Sequence, residues 1–207
     1  MPASRGRPHL VEVTGVAGAG KSTLVELACR SDAGRRRAGF IDARNPAHLG
    51  RIAASVPRLL PVLLRNLGPG PRFTWAEVKL LAYATSWRRE FRRPGYARGV
   101  TLLDQGPVYA MVRLKALGKR ATTSAAFERW WNRTVELWSH ELAAVVYLDA
   151  NDDVLWERIN GRPQPHGTKG EPESVGRAFI ARYRRLFDEI IERLDRPGGP
   201  TILRLDT

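Results

Sequence analysis

The chain has 207 residues and carries 34 Lys plus Arg against 21 Asp plus Glu, a formal net charge of +13. Hydrophobic residues make up 43% and charged residues 27%, the mixture of a packed globular protein, which excludes an intrinsically disordered chain. Cys29 is the only cysteine, which excludes an internal disulfide and a cysteine-based metal site. No stretch reaches the roughly 18 apolar residues of a membrane span, and the polar residues 1–8 lack the apolar core of a signal peptide, so we expect a cytoplasmic protein with no membrane partner.

Short apolar runs alternate with longer helical patterns along the chain, which predicts βαβ units and a parallel sheet in one domain over residues 1–207. The predicted strands are 9–14, 39–43, 99–104, 143–149 and 201–206. The predicted helices are 21–30, 47–66, 75–92, 108–117, 124–142, 152–160 and 173–193.

A glycine-rich motif of the form G-x-x-x-x-G-K-[ST] stands between the first predicted strand and the first helix. In this context the backbone N–H groups surround phosphates, the lysine reaches the β- and γ-phosphates, and the serine hydroxyl is a ligand for Mg²⁺. The motif therefore predicts a nucleotide-binding P-loop, with ATP as the expected nucleotide and GTP left open. Its candidate residues are Gly15, Val16, Ala17, Gly18, Ala19, Gly20, Lys21, Ser22 and Thr23.

Other motifs separate the classes of P-loop protein. A GTPase needs D-x-x-G after the third strand, whereas residues 104–107 read Asp-Gln-Gly-Pro, and no N-K-x-D follows a later strand. AAA and transporter ATPases need a longer chain and further signatures. A small phosphoryl-transfer enzyme remains.

Three segments carry a resemblance to the nucleoside and nucleotide monophosphate kinases, with thymidylate kinase-like features. Residues 145–162 resemble that family's strand, helix and lid arginines, residues 179–186 its helix after the lid, and residues 202–207 its last strand. The resemblance implies a three-layer α/β/α sandwich with a five-stranded parallel sheet of order 2-3-1-4-5. It also implies a short lid at about 158–173 and acceptor-covering helices at about 47–93.

Two aspartates are candidates for catalysis. Asp104 ends a hydrophobic strand at the edge where ligands bind, so it is a candidate Mg²⁺ ligand or proton acceptor, with capping of the next helix as the alternative. Asp42 ends the predicted second strand, where the resemblance implies a base-acting carboxylate; a turn-forming role is equally compatible with the sequence.

Arg158 and Arg162 are spaced i, i+4 at the end of a helix that leads into a loop with three prolines and three glycines. The resemblance implies that they are lid residues that close over ATP and neutralise charge in the transition state, with Lys169 as a third candidate. A purely electrostatic interaction with the helix C-terminus is the alternative.

The acceptor site departs from the thymidylate kinase pattern. Ser86 stands nearest to the expected phosphate-gripping arginine, and Gln105 replaces a second arginine after the third strand. Both departures favour a neutral, hydroxyl-bearing acceptor. The candidate acceptor contacts are Asp42, Arg44, Tyr83, Trp87, Arg88, Gln105, Tyr109 and Arg113. For Tyr83 and Trp87, packing in the core is the favoured alternative.

The function expected from the sequence is ATP- and Mg²⁺-dependent phosphorylation of a hydroxyl on a nucleoside, a nucleoside-like molecule or an antibiotic-type metabolite. A nucleoside monophosphate kinase, a polynucleotide 5′-hydroxyl kinase and a nucleotide-dependent scaffold are the alternatives. Although the arginine excess suits nucleic acid, no recognised nucleic-acid module is visible, so a small-molecule partner is expected. A homodimer is left open.

Overall fold

The computed structural model describes residues 9–39, 46–64, 73–92, 96, 99–117, 120–163 and 166–207. Its five strands are β1 (His9–Gly15), β2 (Arg35–Ala38), β3 (Val100–Asp104), β4 (Leu142–Asp149) and β5 (Thr201–Asp206). Its α-helices are α1 (Lys21–Ser31), α2 (Pro46–Leu64), α3 (Trp75–Phe91), α4 (Pro107–Leu117), α5 (Ala125–Ser139), α6 (Asp152–Gly161) and α7 (Glu173–Leu194).

The strands form one parallel sheet in the order β2-β3-β1-β4-β5, which confirms the predicted fold class and topology. β1 and β4 occupy the interior of the sheet, and β4 presents the continuous buried run Val145–Leu148 that a strand covered on both faces requires. The carboxyl ends of β1, β3 and β4 therefore meet at one edge, where open α/β sheets bind their ligands.

The predicted second strand is wrong in position. β2 covers Arg35–Ala38, and Gly39 lies outside it, whereas the prediction used the apolar residues at 39–43. Because β2 is an edge strand whose three arginines are exposed, it needs no apolar alternation. The remainder of the predicted strand, 40–43, lies outside the described residues.

The predicted fifth helix is too long. It was expected to run to residue 142, but α5 ends at Ser139 and Leu142 begins β4. Leu142 is buried and continues the spacing of Trp131, Val135 and Trp138, so the helical period alone extends past the true end. The other described helix and strand boundaries agree with the prediction to within one residue, apart from the end of α2.

Two tryptophans of α5 form hydrogen bonds to α3. The indole N–H of Trp138 on α5 donates to the Ala84 carbonyl of α3 at 2.7 Å, and that of Trp130 donates to the Thr85 hydroxyl at 3.2 Å. These bonds supply the partners that buried indoles need. None of the described helices is both long enough and apolar enough to cross a membrane.

Candidate nucleotide and phosphoryl-transfer site

The loop from β1 to α1 depends on glycine at two close approaches. Gly15 has φ 144°, and a Cβ there would lie 2.0 Å from the Leu148 carbonyl oxygen of β4. Gly18 has φ 90°, and its Cβ would lie 3.0 Å from the Leu155 carbonyl oxygen of α6. Larger residues would therefore push the loop away from β4 and α6.

The first turn of α1 directly follows the glycine loop. Gly20 is its N-cap in the left-handed conformation, and no side chain caps the helix. The first N–H groups of a helix carry partial positive charge, so an anion at this end satisfies both the donors and the helix dipole. The glycine cradle and these donors fit a nucleotide phosphate chain.

Lys21 is held at the centre of the site. Its side chain is buried and its Nζ donates to the Val16 carbonyl at 2.7 Å. Burial lowers the pKa of Lys21 to about 8; the Asp104 carboxylate opposes this shift, and the positive charge of Arg162 adds to it. The loop thus keeps a desolvated cation next to Asp104 and Arg162, where a negative ligand would restore the charge balance.

Asp104 lies at the carboxyl end of β3, buried beside Lys21. Its Oδ2 accepts a hydrogen bond at 2.6 Å from Arg37 of β2, and its Oδ1 is buried with no hydrogen-bond partner among the described residues. Mg²⁺ in such sites binds one or two protein oxygens together with the phosphates of the substrate. Oδ1 of Asp104 and the hydroxyl of the exposed Ser22, at the start of α1, are oxygens of this kind. These residues fit the ion, and Mg²⁺ bound there would neutralise phosphate charge.

Arg37 and Glu12 also lie at the site, although neither is among the predicted site residues. Arg37 belongs to a run of arginines that resembles a solvated loop, although its side chain is only half exposed in the ion pair with Asp104. Glu12 is a fully buried acidic residue within β1, and its carboxyl group accepts hydrogen bonds from the backbone N–H groups of Val108 and Tyr109 at 2.9 and 2.8 Å. A glutamate flanked by Val11 and Val13 in the strand before the P-loop was the signal that could have identified it.

Glu12 fixes the start of α4 beneath the site. Burial raises its pKa to about 8, although backbone hydrogen bonds from Tyr109, Val108 and Gly106 pull in the opposite direction. A Cβ on Gly106 would lie 2.6 Å from the Glu12 carboxyl carbon, so Gly106 makes room for the group. Glu12 thereby positions the segment that follows Asp104, where Gln105 adopts a left-handed φ of 62°.

The two arginines predicted for the lid lie near the glycine loop. Arg158 donates to the Gly18 carbonyl at 3.4 Å and to the Thr207 hydroxyl at 3.2 Å. Arg162 is the C-cap of α6, and its buried Nε has no hydrogen-bond partner among the described residues. Its charge lowers the pKa of Lys21, so the two cations lie near each other.

The described part of the predicted lid folds back toward these cations. Lys169 donates to the Arg162 carbonyl at 2.6 Å, and the His166 ring lies edge-on to Phe179. Burial lowers the pKa of His166, and the positive charges of Arg162, Arg113 and Lys21 lower it further. Arg113 therefore lies on the lid side of the site.

An ion-pair network orients α6. Arg184 of α7 donates to Asp149 at 2.7 Å and to Asp152 at 2.6 Å, bridging the end of β4 and the start of α6. These carboxylates raise the pKa of Arg184 above its usual range. The network fixes the helix that carries Arg158 and Arg162.

The candidate acceptor contacts have different environments. Tyr83 and Trp87 are core residues with 0% and 3% exposure, so neither offers an open stacking surface, which corrects the expected contact. Arg88 donates to Glu141 at 2.6 Å, and Glu141 precedes β4 at the amino edge of the sheet, opposite the P-loop. The prediction for Arg88 is therefore also corrected.

Gln105 and Tyr109 flank the start of α4 beside Asp104 and are partly exposed, so they stay predicted contacts. Asp42 and Arg44 lie outside the described residues. Val16, Ala17, Ala19 and Thr23 complete the described loop and the first turn of α1.

A parallel sheet of this order, with a glycine-rich turn leading from β1 into α1 and Lys21 beside Asp104, defines the P-loop kinase α/β fold. A deoxyadenosine kinase from M. mycoides, solved with bound dATP, matches with TM-score 0.53 and 14% identity over 95% of this chain and 90% of its own. A thymidylate kinase from Candida albicans matches with TM-score 0.58 and 15% identity over 97% of this chain and 84% of its own.

No protein-family model matches the sequence, and no curated protein matches it. At 14% and 15% identity, the two structural likenesses establish the fold. Activity has to be argued from the site.

Proposed function

We propose that this protein is an ATP- and Mg²⁺-dependent kinase that transfers the γ-phosphoryl group to a hydroxyl of a nucleoside or nucleoside-like small molecule. The observation that carries the proposal is the glycine loop, which holds the buried Lys21 at the Val16 carbonyl and Arg158 at the Gly18 carbonyl, with Asp104 at the end of the neighbouring β3. Phosphoryl transfer needs positioning and charge neutralisation more than covalent chemistry, and these groups supply both. The kinase activities of the two structural neighbours agree with this class of reaction.

Each group of residues at the site has its own proposed role in binding or catalysis. The backbone N–H groups at the start of α1 and the Lys21 ammonium bind the phosphate chain, and Ser22 with Asp104 would hold Mg²⁺. Arg158, anchored at the Gly18 carbonyl, and Arg162 neutralise charge on the transferring group and help to exclude water.

The proton of the acceptor hydroxyl needs a base. Asp104 and Asp42 are the candidates that we propose for this role. Arg37 holds one oxygen of the Asp104 carboxylate, which leaves Oδ1 to accept a hydrogen bond. Gln105 and Tyr109 are the acceptor contacts that we propose, because both lie at the same edge of the sheet as Asp104.

A nucleoside monophosphate kinase is the second candidate, and one observation favours it. The half-exposed guanidinium of Arg37 lies beside Asp104, where it could bind an acceptor phosphate. Against it, Ser86 binds its own helix at the Ala82 carbonyl and Arg88 is committed to Glu141, so α3 directs neither residue to an acceptor phosphate.

The test measures ADP formation with Mg²⁺ and ATP over two parallel panels, nucleosides and nucleoside monophosphates. We expect turnover with at least one nucleoside, and Lys21→Ala should reduce it by about 10²–10⁴-fold. Lys79→Ala, which removes a lysine from α3, is the control and should keep wild-type turnover.

Arg37→Met separates the two acceptors. If the acceptor is a nucleoside, the variant should change KM for it by less than about threefold, because the guanidinium binds no substrate phosphate. A rise of about tenfold or more in KM for a monophosphate would favour the second candidate, whereas kcat does not discriminate because Arg37 also holds Asp104. Bound ATP without ADP formation on either panel would refute both.

A further inference from the structure

A second concave site lies between α2, α3 and α5. It is a cavity of about 780 Å³, a size typical of small-molecule sites. Six arginines line it, and we call it the arginine groove: Arg58, Arg88, Arg89, Arg92, Arg129 and Arg133. No aspartate or glutamate is among its described lining residues.

Most of this positive charge is uncompensated. Arg88 and Arg92 share the carboxylate of Glu141, which accepts from Arg88 Nε at 2.6 Å. The other four arginines form no ion pair within the part of the chain that the structure describes, and all four are exposed. Four guanidinium groups without partners around one concavity disfavour each other and favour an anion with several charges.

The wall of the groove is apolar, in contrast to its arginine rim. Trp130 presents a largely buried ring whose N–H is already bonded to Thr85, and Val62, Ala84 and Leu137 continue the apolar surface. Arginine at the rim and an apolar wall suit a ligand with phosphate groups at one end and an uncharged organic body at the other.

The arginine groove is separate from the P-loop. Glu141, which binds two of its arginines, directly precedes β4, so that part of the groove lies toward the amino edge of the sheet. The P-loop follows β1 at the carboxyl edge. A ligand in the groove therefore does not compete for Lys21, and the inference does not depend on the proposed kinase activity.

We propose that the arginine groove is a second binding site for a small polyphosphate anion, either free or carried on a nucleoside. Arginine forks bind phosphate oxygens bidentately, and four of them are available in the groove. The volume of the groove favours a small molecule over a nucleic-acid strand, which would follow an extended surface.

Binding of inorganic tripolyphosphate and of ATP, each measured by titration calorimetry without Mg²⁺, tests the proposal. Wild-type protein should bind two molecules of tripolyphosphate, and Lys21→Ala should remove the P-loop site alone. Arg129→Ala and Arg133→Ala should each weaken the second site by about tenfold and leave the first unchanged. Tighter binding of ATP than of tripolyphosphate at the second site would assign the nucleoside-linked source, and equal affinities the free one.

Arg185→Ala is the matched control, because it removes an exposed helical arginine of α7 outside the groove. It should weaken the second site by less than twofold. An effect equal to that of Arg129→Ala would show that binding depends only on the overall positive charge of the protein, and it would overturn the proposal. A single site in wild-type protein that Lys21→Ala abolishes would also overturn it. Binding of a single-stranded oligonucleotide that is tighter than that of both probes and depends on Arg129 and Arg133 would replace it with a nucleic-acid surface.

Discussion

Glu12 should make the stability of the fold depend on pH in an unusual direction. Burial raises the pKa of this carboxyl from 4.5 to about 8. Between these two values the folded protein holds a proton that the unfolded chain releases, so the free energy of unfolding falls as pH rises. The direction is opposite to that of a carboxylate in a salt bridge, whose contribution grows as pH rises.

The size of the effect follows from the shift. The free energy of unfolding falls by about 1.4 kcal/mol for each pH unit, and less steeply near the folded-state pKa. Titration of Glu12 should therefore lower it by about 2–3 kcal/mol as the pH rises from about 5.5 to 7.5. Glu12→Gln keeps the shape of the side chain but removes its titratable group. It replaces one acceptor oxygen by an amide that cannot accept from Val108 or Tyr109, so it lowers stability by about 1–3 kcal/mol at low pH.

The assay is urea unfolding of wild type and Glu12→Gln at three pH values across this range. Wild type should lose about 2–3 kcal/mol of unfolding free energy relative to Glu12→Gln as the pH rises. Glu136→Gln, at an exposed position on α5, should keep a constant difference from wild type, within about 0.5 kcal/mol. A wild-type minus Glu12→Gln difference that is equally constant would refute the argument for a desolvated, protonated Glu12.

Three further outcomes follow from the geometry. Gly15→Ala should destabilise the fold by about 2–4 kcal/mol and remove ATP binding, measured by thermal unfolding with and without nucleotide, whereas Gly20→Ala, with no atom near its Cβ, should cost about 1–2 kcal/mol. Trp138→Phe should cost about 1–2 kcal/mol in urea unfolding, because the bond to the Ala84 carbonyl is lost within the core; an unchanged midpoint would contradict it. Arg158→Ala should lower kcat by about 10²-fold in the ADP-release assay while thermal unfolding without nucleotide changes little, and equal turnover would remove Arg158 from the site.

The sequence predicted the topology well, because local signals determine it, whereas the roles of the nucleotide-site residues stay predictions. The P-loop motif requires a strand before it and a helix after it, and the buried run in β4 identifies an inner strand. Arg158 donates to the Gly18 carbonyl of the loop, and its role at the phosphates stays a prediction.

The errors arose where tertiary contacts override local pattern. β2 is an edge strand and tolerates three exposed arginines, so composition placed it too late in the chain. Arg37 could not be recognised as the partner of Asp104, because their ion pair joins residues 67 positions apart.

Arg88 shows the same limitation on the acceptor side. It lies two residues beyond the position that matches the resemblance, and the direction of its side chain is determined by Glu141, 53 residues away. Tyr83 and Trp87 occupy helical positions compatible with either a pocket or the core, and only packing shows that both are buried.

The identity of the phosphorylated product is the most direct test of the central claim. Protein, Mg²⁺ and ATP labelled in the γ-phosphate are incubated with a nucleoside panel, and the labelled products are separated and identified by mass spectrometry. The account predicts label on a nucleoside hydroxyl, lost in Lys21→Ala. Label found only in inorganic phosphate, or only on nucleoside monophosphates converted to diphosphates, would contradict it.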